Sequence, residues 1–417
     1  MFRRTAAGRV LGLADPFRTA LHSTAPPMLL YALNEVAGDE TRASLTPDTA
    51  KKLAALGLDV VFEPGLGGGA DFSDDDYTAA GAKPMPRDEA IPAADIVLHL
   101  TPPPAELIRR MKRGTLSLGF LAPFPIHLGP GDPPAETAEK ARLDALVEAG
   151  LTGISVEMMP RSTLAQKMDA ISSQANLAGY VAVTLAASRM NKILPMMMTP
   201  SGTISPAKVF IIGVGVAGLQ AIATAKRLGA RVTAFDTRAE ALEQAESLGA
   251  KALRIDLGET GATDQGYAKE LTPEQIAKQK AGQAKVCAES DIVICTAKLF
   301  GRPAPRLVGK DVVSTMRSGA ILVDLAAETG GNVEGVVPGE ETVTENGVRL
   351  IGHRRLECLV ARDASAMFAN NLANFIDHFW DKETKTLKYD PEDPILKGAT
   401  LTRDGQFVNK HPAFGKS

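Results

Sequence analysis

Short apolar runs alternate along this chain with segments whose apolar residues recur every three or four positions. That is the pattern of parallel strands joined by crossover helices. In the first part the runs predict strands at Leu29–Leu33, Val60–Glu63, Ile96–Leu100, Leu116–Leu121 and Gly153–Glu157, with helices at Thr49–Ala55, Glu106–Met111 and Glu139–Glu148. A long helical stretch, Lys167 to Asn191, follows. Its small residues (Ala170, Ser172, Ser173, Ala175, Ala178, Gly179) predict close packing against a neighbour. The alternation resumes at Ala252–Ile255, Ile292–Cys295, Ile321–Leu325 and Arg349–Gly352, then ends in a helix from Ala364 to Trp380 and a polar tail.

The most informative stretch lies between Lys208 and Arg238. An apolar run, Val209 to Ile212, leads into Gly213, Gly215 and Gly218; a helix-period segment, Leu219 to Leu228, and a second apolar run ending in Asp236 follow. In such a unit the first glycine allows the tight turn, the second lets the backbone approach a pyrophosphate, and the third lets helix and strand pack closely. The helix N-terminus then presents free N–H groups to the phosphates, with Val216 and Ala217 in its first turn. Asp236 is spaced to accept ribose hydroxyls, with Thr237 and Arg238 beside it. A glycine triplet alone is weak evidence; strand, turn, helix, strand and acid in register predict a dinucleotide site. By contrast, PGLGGGA at 64–70 follows a strand but lacks the spaced triplet and the later acid, and reads as a flexible turn.

Composition narrows the class. The chain has 417 residues, 45% hydrophobic and 23% charged, with a formal net charge of −3, which gives no field for nucleic acid. Three cysteines without a C-x-x-C pair support free thiols in a reducing compartment rather than disulfides or a metal site. No apolar stretch approaches the ~18–20 residues that span a bilayer. Residues 1–27 carry Arg3, Arg4, Arg9 and Arg18 against one acid, Asp15. They read as a disordered leader or a mis-assigned start, with Met28 as the alternative beginning. The polar segment GETGATDQGYAKELTPEQ, Gly258 to Gln275, is long for a connection and reads either as a functional lid anchored by Tyr267 or as a surface insertion.

Several of these stretches together resemble one family. RSTLAQKMDAISSQANLAGY (161–180), PMMMTPSGTI (195–204), the glycine turn, DQGYAKE (264–270) and DLAAETGGN (324–332) are similar, in the same order, to the soluble NAD-binding alpha component, domain I, of proton-translocating nicotinamide nucleotide transhydrogenase. ETRASLTPD (40–48), including Arg42, agrees with that family's N-terminal pattern. The fold is shared with alanine dehydrogenase. The resemblance implies an α/β chain of two Rossmann-like, doubly wound parallel-sheet domains separated by a cleft. The first is 28–171 completed by 354–417, and the second, NAD-binding, is 172–353. It also implies a homodimer, NAD on this chain, NADP on a partner chain, and separate NADP-binding and membrane proton-channel subunits. The location implied is cytoplasmic, peripheral on the inner membrane.

By the same resemblance Arg161, Gln166, Asp169 and Ser172 form the loop near the nicotinamide. Gln166 and Ser172 are suited to hydrogen-bond a carboxamide, and Arg161 and Asp169 to pair and fix the loop; ordinary helix-start charges are the other reading of the last two. Tyr267 falls at the tip of the family's mobile loop, and Thr296, Ala297 and Lys298 on a segment near the nicotinamide. Two stretches depart from the family pattern. Lys298 and Phe300 stand where apolar residues and a proline are usual, and RRLECL (354–359) replaces a proline-containing turn.

The chemistry separates the candidates. An amino-acid dehydrogenase moves a proton with the hydride and needs a positioned acid/base group. In alanine dehydrogenase a lysine and a histidine of the first domain serve. Here the corresponding segments, IVLHLTPP (96–103) and LGFLAPF (118–124), hold neither at those places, though His99 is a possible substitute if it is not simply core. Re/Si-specific transhydrogenation passes a hydride directly between two nicotinamide rings at ~3–3.5 Å and needs positioning and water exclusion instead. Asp236 predicts a preference for NAD, since a carboxylate repels a 2′-phosphate, with Arg238 softening the effect. An alanine dehydrogenase-like oxidoreductase and a non-catalytic NAD sensor remain the alternatives.

Overall fold

The computed structural model describes residues 26–36, 38–124, 136–258, 260–261, 271–299 and 301–411, with backbone alone for 136 and 137. The leader as far as residue 25, Tyr267 and Phe300 lie outside the described residues.

The first sheet takes β1 Leu29–Ala32, β2 Asp59–Phe62, β3 Lys83–Pro84, β4 Ile96–Leu98, β5 Leu116–Gly119 and β6 Thr152–Ser155 in the parallel order β3-β2-β1-β4-β5-β6. Alternation along β1 feeds two cores: Leu30 and Ala32 face one side, Tyr31 and Leu33 the other. A hairpin, β7 Met197–Thr199 and β8 Gly202–Ile204, stands apart from both sheets. The second sheet comprises β9 Lys208–Ile212, β10 Arg231–Phe235, β11 Lys251–Ala252, β12 Ile292–Cys295, β13 Ile321–Asp324, β14 Glu341–Val343 and β15 Arg349–Ile351. Its order is β11-β10-β9-β12-β13-β15-β14, parallel except for β14. Both sheets therefore reverse strand order beside their first strand, the place where doubly wound sheets open a crevice.

The end of the chain returns to the first sheet. The Ala361–Phe379 helix buries Phe368, Leu372, Phe375 and Ile376 in the same core as Leu30 and Leu98. A small antiparallel pair follows, β16 Trp380–Asp381 with β17 Thr386–Leu387, and then β18 Thr400–Arg403 lies antiparallel to β6, with β19 Gln406–Phe407 outside it.

Between the sheets runs the Ala170–Arg189 helix, whose small face meets the Val216–Arg227 helix that follows the glycine turn. At Gly179 a Cβ would stand 2.2 Å from the Ala217 carbonyl oxygen, so only glycine lets the two helices approach this closely.

Two expectations change. The 64–70 segment is not a loose turn: it closes a 3-10 turn, Gly68–Ala70, with Gly69 packed against the Thr41 backbone and Leu66 and Ala70 buried. The polar stretch read as reaching Gln275 ends earlier, because Thr272 caps a helix, Pro273–Glu289, through a reciprocal bond with Gln275.

Candidate nucleotide site

The glycine turn is built as its spacing requires. Gly213 has φ +96°, and a Cβ on it would meet Thr296 Oγ1 at 2.6 Å; Gly218 comes so close to Gly213 that a Cβ would stand 2.0 Å from that carbonyl oxygen. Gly215 is the N-cap of the Val216–Arg227 helix, and a Cβ there would find nothing within 4 Å. That open space lies over the free N–H groups of the first helical turn, where a pyrophosphate is best received.

Asp236, at the end of β10, is 8% exposed, and its carboxylate accepts from Val214 N–H (2.7 Å) and Arg238 N–H (2.9 Å). The Arg238 guanidinium adds two bonds from Nε (2.9 Å) and Nη2 (2.8 Å). The acid and its basic neighbour thus form one bidentate unit, and its bonds to Asp236 hold the guanidinium above its usual range.

Across the strand-order reversal, Thr296 donates to the Gly213 carbonyl (2.8 Å), tying the end of β12 to the turn. The next peptide is gripped on both sides by one amide: Ala297 N–H donates to Asn332 Oδ1 (3.1 Å), and Asn332 Nδ2 donates to Ala297 O (2.9 Å) and Pro305 O (2.8 Å). Asn332 is held in turn by Asp324, a fully buried carboxylate that accepts from the N–H groups of Ala326, Asn332 and Val333. Burial raises the Asp324 carboxyl despite those bonds. The DLAAETGGN motif therefore shapes the wall that carries Thr296 to Lys298.

These elements surround a cavity of about 730 Å³. Of the residues singled out from sequence, Arg161, Ser172, Gly213, Gly215, Val216, Ala217, Asp236, Thr237, Arg238, Thr296, Ala297 and Lys298 line it. Gly218 lies behind the turn, and Gln166 and Asp169 are not on the wall. Gln166 sits exposed on a 3-10 turn, Gln166–Met168, and Asp169 caps the Ala170–Arg189 helix. Its carboxylate accepts from Ser172 N–H (2.9 Å) and Ser172 Oγ (2.6 Å), so the bond that fixes this corner runs to Ser172 and not to Arg161. With its hydrogen committed to Asp169, the Ser172 hydroxyl faces a ligand as an acceptor.

Sequence reasoning passed over several wall residues. Gln279, on the Pro273–Glu289 helix, is 3% exposed, lines the cavity, and leaves Oε1 with no partner among the described residues. A buried unpaired amide oxygen is costly unless a ligand completes it. Leu271 and Ile276 add apolar surface beside it. The capping signal T-x-x-Q could have placed this helix, though not the direction of Gln279. At the other end Glu328, His353, Arg354 and Glu357 join Lys298 on one wall, so both stretches that depart from the family pattern border the same cavity. His353 Nε2 lies 3.2 Å from Glu341 Oε1.

His99 takes no part. It is fully buried in the first sheet, Nδ1 against Thr101 O (3.1 Å) and Nε2 against Ser117 Oγ (2.9 Å), and burial pushes its pKa down to about 3. Both nitrogens are satisfied in a neutral ring, and it is absent from the cavity wall. Among the described residues no group of His, Cys, Asp and Glu is arranged to hold a metal, and all three cysteines are free and buried.

Comparison with known proteins places this geometry. The N-terminal and C-terminal domain models of the alanine dehydrogenase/PNT family match residues 31–178 and 182–410. An NAD(P) transhydrogenase alpha subunit of Rhodospirillum rubrum is 42% identical over 90% of this chain and 96% of its own length. The chain belongs to the alanine dehydrogenase/PNT family, among the NAD(P) transhydrogenase alpha subunits. Within that family, the transhydrogenase of Sinorhizobium meliloti superposes with a TM-score of 0.79 at 40% identity, covering 91% of this chain and all of that one. An L-alanine dehydrogenase structure follows at 0.71 and 25%, covering 93% of this chain and 99% of its own, and the alanine dehydrogenase of Halomonas elongata is 28% identical over 85% and 88%. The α/β architecture of two Rossmann-like domains is the family's own. Among the described residues no helix is long and apolar enough to cross a membrane.

Proposed function

We propose that this chain holds NAD(H) in its cleft and passes a hydride directly to NADP⁺ carried by a partner subunit. Membrane subunits on other chains couple the transfer to proton movement, and the chain works as a homodimer on the cytoplasmic face of the membrane. The observation that carries the reading is the 42% identity, along nearly the whole of both chains, to a transhydrogenase alpha subunit, against 28% to alanine dehydrogenases. Geometry supports it: the helix start and loop facing the glycine turn bring Arg161, Ser172, Gln174 and small apolar residues to the cavity, with neither lysine nor histidine. Ring-to-ring hydride transfer needs no substrate proton, only alignment and exclusion of water.

In this reading the nucleotide domain is 172–353, with 28–171 and 354–417 forming the other. The turn at Gly213, Gly215 and Gly218 takes the pyrophosphate, with Val216 and Ala217 opening the receiving helix. The Asp236–Thr237–Arg238 corner takes the adenosine ribose, and the buried carboxylate favours NAD over NADP. Gln279 reads the adenosine end. Thr296, Ala297 and Lys298 border the nicotinamide, and Ser172, positioned by Asp169, accepts from its carboxamide. Arg161 and Gln166 complete the facing loop, and Tyr267 closes over the nucleotide.

The test is to mix the chain with the NADP-binding component and follow NADH-dependent reduction of NADP⁺. Turnover is expected; none with a competent partner overturns the proposal. A second reading, an amino-acid dehydrogenase, is favoured by one observation: Lys298, Glu328 and His353 bring titratable groups to the cavity from the second domain. Oxidation of L-alanine by the chain alone decides for it.

A further inference from the structure

The departing segment RRLECL contributes to more than the cavity wall. Arg355, Glu357 and Cys358 join Glu40, Arg42 and Gln174 in a buried polar cluster at the junction of three separate segments. Arg42 is 4% exposed, Glu40 2% and Gln174 5%. The Arg42 guanidinium donates to Glu40 through Nε (2.8 Å) and Nη2 (2.7 Å), and its third nitrogen, Nη1, donates to Gln174 Oε1 (2.8 Å) and Glu357 Oε1 (3.1 Å). Arg355 reaches Glu40 Oε2 at 3.4 Å, so two carboxylates balance two guanidiniums. Bonds nearby stitch the same segments: Thr41 Oγ1 to Cys358 O (2.8 Å), Ala43 N–H to Ser365 Oγ (2.9 Å) and Gln174 Nε2 to Ala364 O (3.1 Å).

What this cluster joins matters. Glu40 and Arg42 belong to the first domain, and Glu357 follows the last strand of the second sheet. Gln174 stands on the helix that starts at Asp169, just after Ser172. Gln174 and Glu357 also line the cavity, whereas the glycine turn and Asp236 hang on β9 and β10 and make no contact with Arg42. We propose that Arg42, clamped between Glu40 and Glu357, is a positioning residue that sets the start of the Ala170–Arg189 helix, and with it Ser172 and the 161–169 loop, against the nucleotide domain. A buried guanidinium suits this task, because its fork fixes three partners in direction and removing any one of them leaves charge uncompensated. Burial alone would lower the Arg42 pKa, but the bonds to Glu40 outweigh it and hold it above its usual range, so it stays charged.

A split between affinity and alignment is expected. In Arg42→Lys and Glu357→Gln, the dissociation constant for NADH should stay within about twofold of the parent, because the turn and Asp236 are untouched. Amide exchange across 161–172 should accelerate at least tenfold, and hydride transfer to partner-held NADP⁺ should slow about tenfold. Glu357→Gln keeps an acceptor oxygen in place and tests the charge without a cavity, should Arg42→Lys fail to fold. Unchanged exchange in 161–172 overturns the positioning role, as does a parallel loss of NADH affinity, exchange protection and melting temperature, which marks a merely structural one. Only the hydride readout rests on the proposed function. If the parent chain transfers no hydride, that reading fails, and the exchange and affinity measurements still decide the role of Arg42.

Discussion

At the residue scale, the three glycines of the turn answer to different demands that substitution can separate. A Cβ at Gly218 would sit 2.0 Å from the Gly213 carbonyl oxygen, so helix and strand would have to part, at a cost of ~1–3 kcal/mol. A Cβ at Gly215 meets open space at a negative φ. Gly218→Ala is therefore expected to lower both the melting temperature and NADH affinity. Gly215→Ala should leave the melting temperature within about 2 °C, since a change of ~0.5 kcal/mol moves it little in a chain this size, while weakening NADH at least tenfold. Paired thermal melts and NADH titrations check this; a Gly215→Ala chain that binds NADH normally removes the pyrophosphate from that space. These glycines were readable because the rule they obey is local: one backbone turn needs them at fixed spacing. The partners of Asp169 were not. Arg161 is as close in sequence terms as a charge partner could be, but the N–H groups at a helix start are nearer and fixed in direction, so the carboxylate caps the helix and orients Ser172.

At the scale of elements, strands written as unbroken apolar runs were legible to within a residue or two, since burial on both faces leaves no room for polar positions. Ile292–Cys295 is the clearest case, fully buried throughout. The hairpin β7–β8 was visible only as a family motif, because its apolar residues face outward: Met197 is 45%, Met198 73% and Ile204 44% exposed, with Met196 beside them at 58%. An apolar ribbon standing free of both sheets is the surface a second copy of the chain would cover. If the homodimer forms there, Met198→Asp should shift the chain toward monomer in sedimentation equilibrium without changing its melting temperature by more than a few degrees. A dimer of parent strength in that variant moves the interface elsewhere. The Pro273–Glu289 helix shows the opposite error, a polar helix hidden behind a polar loop, since its buried stripe of Gln279, Gln283 and Cys287 is itself poor in apolar residues.

At the scale of the molecule, the last stretch of the chain completes the first sheet from a distance of some hundreds of residues. Ile395, Leu396 and Leu401 are 1%, 2% and 0% exposed in the first domain's cores, and β18 covers the edge of β6. Each such side chain contributes ~1.5–3 kcal/mol on burial, so a chain ending at Asp390 should lose at least ~4 kcal/mol of first-domain stability. Trp380, the single tryptophan, packs into that domain with Nε1 donating to Leu56 O (2.9 Å), so urea unfolding followed by its fluorescence reports the loss directly. A transition unchanged from the full chain would mean that β18 is dispensable. Nothing in the spacing of residues 394–403 announces that pairing; edge strands are chosen by which backbone edge is left open, a property of the assembled sheet.

The sequence by itself determined whatever depends on neighbours along the chain: the alternation of strands and helices, the turn at Gly213 to Gly218, Asp236 at its fixed interval, and the family those motifs carry. Tertiary structure alone decided which distant groups meet. It closed Arg238 onto Asp236 and set Asn332 astride Ala297, turned Gln279 into the cavity, and brought RRLECL to Glu40 and Arg42 across more than three hundred residues. The physical reason is the same in each case. Backbone geometry and burial period act over a few residues and leave a written pattern, whereas buried polar groups must be satisfied by whatever the folded chain places beside them.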